Sequence, residues 1–86
     1  MKPTFLELRH LRTLLALKET GSVSMAAKRV YLTQSALSHQ IKLMEEQFGL
    51  PLFERKSNPL RFTAAGDRLI RLANEILPKV VDAERE

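Results

Sequence analysis

Five polar side chains gather near the middle of the chain: Gln34, Ser35, Ser38, His39 and Lys42. On a helix turning about 100° per residue, Ser35, Ser38, His39 and Lys42 share one face, opposite the apolar arc of Leu37, Ile41, Met44 and Phe48. A glutamine at the start of such a helix can bond N6 and N7 of an adenine at once, and the two serines are short donors and acceptors. His39 and Lys42, further along, can reach bases or phosphate. No Asp or Glu occurs in residues 26–43, so nothing there opposes the approach of a polyanion. Thr33 precedes this helix as a natural N-cap, where free backbone N–H groups and the positive dipole end favour a phosphate. A second group, Arg55, Lys56 and Arg61, supplies cationic side chains for the phosphates of a nucleic-acid backbone. Catalytic chemistry fits poorly. Ser38 and His39 are helix neighbours that diverge by about 100°, so they form no triad with Glu45. His10 and His39 are too distant for a helix-borne metal pair, and the chain has no cysteine.

Several elements must position these groups. Leu8, Leu11, Leu14 and Leu15 recur at helical spacing before Gly21, which predicts a first helix over residues 7–20. Ser24 is the expected cap of a short second helix over residues 25–30, in which Ala26 and Ala27 allow close approach of a neighbour. Met25 and Met44 are read as core filler. Tyr31, Leu32 and Thr33 make a tight break before the third helix, Gln34–Phe48, which Gly49 and Pro51 terminate. Two helices joined by a three-residue turn form a helix-turn-helix, whose second helix enters a DNA major groove. Residues 52–55 and 60–62 predict a two-stranded hairpin with a basic tip over residues 56–59. Thr63 then caps a helix that continues from Ala64 to the end of the sequence. Leu69, Ala73, Ile76 and Val80 stripe it; Leu72 and Ala83 widen the stripe on one side, and Ile70, Leu77 and Val81 on the other. This arc is wider than one small domain requires of a surface helix, and Pro78 lies opposite its centre. The helix stops in mid-pattern, which reads as a segment of a longer protein.

Composition agrees with a small single core. The chain has 86 residues, 44% hydrophobic and 28% charged, with a net charge of +4. Residues 1–63 carry ten basic and five acidic side chains, whereas residues 64–86 carry four and five. The front is expected to meet a polyanion and the tail to meet protein. No apolar run is long enough for a membrane span, a secretory signal is not expected from the early charged residues, and the lack of cysteine fits the cytoplasm. Two other classes remain: a small architectural or antitoxin-like DNA binder without a sensor domain, and a helical adaptor that uses the apolar arc for a partner helix.

The ordered set Leu8-Arg9-His10-Leu11-Arg12, Gly21-Ser22, Ala26-Ala27, Thr33-Gln34-Ser35-Ala36-Leu37-Ser38, Gln40-Ile41, Glu45-Glu46 with Gly49, Leu52-Phe53-Glu54-Arg55 and Phe62-Thr63-Ala64-Ala65-Gly66 resembles the N-terminal DNA-binding domain of LysR-type transcriptional regulators. Residues 33–40, 55–57 and 59–63 look closest to the methionine-biosynthesis regulators of that family. The resemblance implies a mainly α winged helix-turn-helix over residues 1–63, with a small two-stranded β wing. It also implies a long linker helix over residues 64–86 that pairs antiparallel with a second copy. On that basis Leu69, Leu72, Ala73, Ile76, Leu77 and Val80 are the expected dimerisation residues. Gln34, Ser35, Ser38 and His39 are the expected base readers, and Thr33, Lys42, Arg55, Lys56, Ser57 and Asn58 hold backbone and wing contacts. Family members bind interrupted palindromes of the form T-N11-A and carry a C-terminal effector domain beyond this sequence. In the methionine subgroup its co-inducer would be homocysteine; no cofactor is expected within these 86 residues. RNA polymerase is an expected partner of the full-length protein. Many members have Pro, Arg and Arg at the places of Ser35, His39 and Asn58, so the sequence preference is expected to shift.

Overall fold

The computed structural model describes residues 5–54, 57 and 59–85. Their elements run in the order α1 (Leu8–Thr20), α2 (Val23–Arg29), α3 (Gln34–Phe48), β1 (Phe53–Glu54), β2 (Arg61–Phe62) and α4 (Ala64–Glu84). The class is the expected one, mainly helical with a two-stranded antiparallel sheet.

Gly21 ends α1 in the left-handed conformation (φ 70°), and its N–H bonds the Leu17 carbonyl at 2.8 Å. After that turn α2 begins two residues earlier than expected. Ser22, not Ser24, is the extended residue that caps α2, its Oγ accepting the Met25 N–H at 3.2 Å. Ser24 already lies within the helix. Met25 likewise departs from expectation. Its side chain is 55% exposed, because Ala26 and Ala27 fill the buried face of α2 and leave no room for a longer residue. Met44 is buried as expected.

After α2 the chain reverses through Tyr31, which takes a positive φ of 60°. The Leu32 N–H bonds back to the Ala27 carbonyl at 2.9 Å and closes the break. Thr33 then caps α3, Oγ1 accepting the Ala36 N–H at 3.0 Å. Gly49 (φ 71°) ends it. The Glu45 carboxylate accepts the Leu52 N–H at 2.8 Å and so fixes the exit from α3.

Among the described residues, Leu52 and Leu60 fall outside the strands expected to include them. The hairpin pairs Phe53 with Phe62 and Glu54 with Arg61. Thr63 serves two elements: its Oγ1 donates to the Pro51 carbonyl at 2.7 Å and accepts the Gly66 N–H at 3.2 Å. Gly66 allows α4 to start hard against the hairpin, since a Cβ there would overlap the Leu52 carbonyl oxygen. The α4 helix packs mainly on α1. Leu14, Leu17, Leu37, Ile41, Leu52, Leu69 and Ile70 meet in one core under α1, joined by Ala26 and Ala27.

Candidate nucleic-acid interface

The α3 helix presents its polar face to solvent. Gln34, Ser35, Ser38, His39 and Lys42 are all exposed, while Leu37, Ile41 and Met44 anchor the other side. The cap at Thr33 fixes the first turn of the helix, where Gln34 and Ser35 project. Gln34 also borders a shallow concavity with Ser22 and Ser24 from the start of α2 and with Ser57 and Leu60 from the hairpin. The expected base readers and the hairpin are therefore neighbours. The Leu60 N–H donates to the Gly21 carbonyl at 3.2 Å, which ties hairpin to helix-turn-helix.

Two expected backbone ligands have structural duties. The Thr33 hydroxyl oxygen is engaged as the α3 cap, leaving its hydrogen to donate. Ser57 Oγ donates to the Glu54 carbonyl at 3.0 Å and accepts the Arg61 N–H at 2.9 Å, so it braces the hairpin and is only half-exposed. Arg55, Lys56 and Asn58 lie outside the described residues. Arg61 is exposed on β2.

Three residues to which the sequence assigned no binding role stand close to this face. His10 is buried, and its Nδ1 accepts the Glu7 N–H at 3.0 Å at the start of α1. Burial lowers its pKa below the ordinary 6.5, helped by the Arg9 charge and opposed by Glu7. Tyr31 is 94% exposed at the tip of the turn. Gln40 lies beside the core with its Oε1 buried and lacking a hydrogen-bond partner among the described residues. Only the helical spacing of Gln40, which sets it at the edge of the apolar arc, hinted at such a position.

The six expected dimerisation residues divide into two groups. Leu69 (9% exposed) and Ala73 (0%) are in this chain's own core, together with Ile70. Leu72, Ile76, Leu77 and Val80 are half-buried, and Val81 is 43% exposed. The free apolar strip on α4 is thus narrower than the sequence stripe, because its first turns are already covered by α1. A groove between Leu15 of α1 and Leu77, Pro78 and Val81 of α4 continues that strip. No helix among the described residues is long and apolar enough to cross a membrane.

The comparisons with known proteins agree with this geometry. Residues 8–67 match the family of bacterial regulatory helix-turn-helix proteins, lysR family. The HTH-type transcriptional regulator MetR of Haemophilus influenzae is 88% identical over all 86 residues, which make up 28% of that protein. MetR of Escherichia coli K12 is 50% identical over 78 residues, 91% of this chain and 25% of the relative. The chain therefore spans about a quarter of the length of these curated relatives. Among solved structures, the DNA-binding domain of BenM in complex with benA site 1 DNA superposes with a TM-score of 0.85. It is 36% identical, with 93% of this chain and 90% of that one covered. The similarity to MetR supports the methionine-regulator subgroup expected from the sequence, and the chain belongs to the LysR family of bacterial regulatory helix-turn-helix proteins.

Proposed function

We propose that the chain binds double-stranded DNA sequence-specifically, as the reading head of a transcriptional regulator. The observation that carries this is the capped α3 helix. Its exposed face begins with Gln34, Ser35, Ser38 and His39, has no carboxylate among those first residues, and lies next to a hairpin. The BenM domain, similar in fold, is known in complex with DNA. Gln34, Ser35, Ser38 and His39 contact base edges, while Lys42, the Thr33 hydroxyl and the hairpin hold phosphates. The role is binding, without a catalytic step. An adaptor role would leave the acid-free start of this polar face without a purpose.

Two copies join through the free strip on α4, Leu72, Ile76, Leu77 and Val80, and place two α3 helices in successive major grooves of an interrupted palindrome. The protein acts in the cytoplasm, and its place in the methionine-regulator subgroup, supported by the similarity to MetR, favours genes of methionine biosynthesis as its targets. The longer protein would add an effector domain responsive to homocysteine and contact RNA polymerase.

Titration of Gln34→Ala on single-base-pair variants of a bound duplex tests the assignment. The substitution should cost about 1–3 kcal/mol at one base pair and abolish discrimination there. An equal loss on cognate and scrambled duplexes would remove Gln34 from the readers.

A further inference from the structure

A helix in a major groove about 12 Å wide has a phosphate wall on each flank. One flank of α3 belongs to the hairpin, since Gln34 shares its concavity with Ser57 and Leu60. The other flank carries Ala36, Gln40 and Leu43, and there the neighbouring element is α1: Arg9 and His10 line a concavity with those residues and His39. Beside it, Arg9 and Arg12 border a second concavity with Gln40, Arg29 and Tyr31.

We propose that Arg9 and Arg12 of α1 grip the phosphate wall opposite the hairpin, so that α3 is held from both sides. The inference rests on the reading that α3 enters the groove. Arg9 and Arg12 are three residues apart, share one face of α1 and are exposed. Residues 8–18 contain no Asp or Glu, and neither do residues 26–43; the carboxylates bordering these stretches are Glu7, paired with Arg9, and Glu19, paired with Arg29. Arg9 contacts Glu7 at 3.3 Å, but both side chains are more than half exposed, and such a pair is readily exchanged for a phosphate. Gln40 lines both concavities with Arg9, its Oε1 buried and without a hydrogen-bond partner among the described residues. Arg29, on the same concavity as Arg12, is paired with Glu19 at 3.0 Å, likewise with both side chains more than half exposed.

The test measures affinity against salt for the protein, Arg9→Gln, Arg12→Gln and Arg9→Lys on one selected duplex and a scrambled one. Ethylation interference then maps the phosphates that matter. Each Gln substitution should make the slope of log K against log salt shallower by about 0.9 per protomer, equally on both duplexes. Arg9→Lys, which keeps the charge, should retain the slope. Interference should vanish on the α1-side wall and persist on the hairpin side. Unchanged slopes and an unchanged interference pattern in both Gln variants would overturn the proposal. A parent protein whose binding to every duplex ignores salt would instead overturn the DNA reading beneath it.

Discussion

Burial holds the imidazole of His10 neutral, and its Nδ1 is the atom that accepts the Glu7 N–H. Protonation would remove that acceptor and place a charge beside Arg9. Because the folded pKa lies below 6.5, the unfolded chain binds a proton first as pH falls. The stability that neutral His10 contributes is complete above the unfolded value, and is lost as pH drops through 6.5 toward the folded value. Denaturant midpoints measured between pH 8 and pH 5 should fall for the parent chain and fall less for His10→Gln. Parallel curves would exclude His10 as the source. Nothing in the sequence marked this histidine: its type and spacing suit a surface position equally well. Only packing of α1 on its neighbours decides burial. The exposed face of α3 was the opposite case. Its polar and apolar residues separate cleanly at helical period, so Gln34, Ser35, Ser38, His39 and Lys42 were readable before any fold was known.

Helix boundaries follow from caps, and caps can be tested singly. Ser22→Ala should destabilise the chain by about 1 kcal/mol, since it leaves the Met25 N–H without its acceptor. Ser24→Ala should change stability by no more than a few tenths of a kcal/mol, because Ser24 is an exposed residue inside α2. Chemical denaturation that ranks the two the other way would contradict the assigned start of α2. The sequence placed α3 and α4 correctly because Thr33 and Thr63 are the single capping candidates beside their apolar runs. It misplaced the start of α2 because two serines compete there, and the choice depends on the left-handed turn at Gly21. Met25 was misread for a related reason: a hydrophobic side chain next to an Ala-Ala pair looks internal, yet close helix approach admits only the alanines. Among the described residues the strands came out two residues long, and Ser57 braces the hairpin through the Glu54 carbonyl and the Arg61 N–H.

At the scale of the molecule, α4 serves two masters: its early turns close the core against α1, and its later turns leave Leu72, Ile76, Leu77 and Val80 only half covered. The width of the apolar arc was legible in sequence, but its division between core and partner was not, because both uses demand the same residue types on the same stripe. Two joined copies would present two α3 helices about one helical turn of DNA, or a multiple of it, apart. Selection of bound duplexes from a random pool at physiological salt tests that geometry most directly. Enrichment of two inverted half-sites at a fixed spacing, with the outer steps protected by the hairpins, is the predicted result. A pool that stays unenriched, or yields one undivided half-site bound by a single copy, would contradict it.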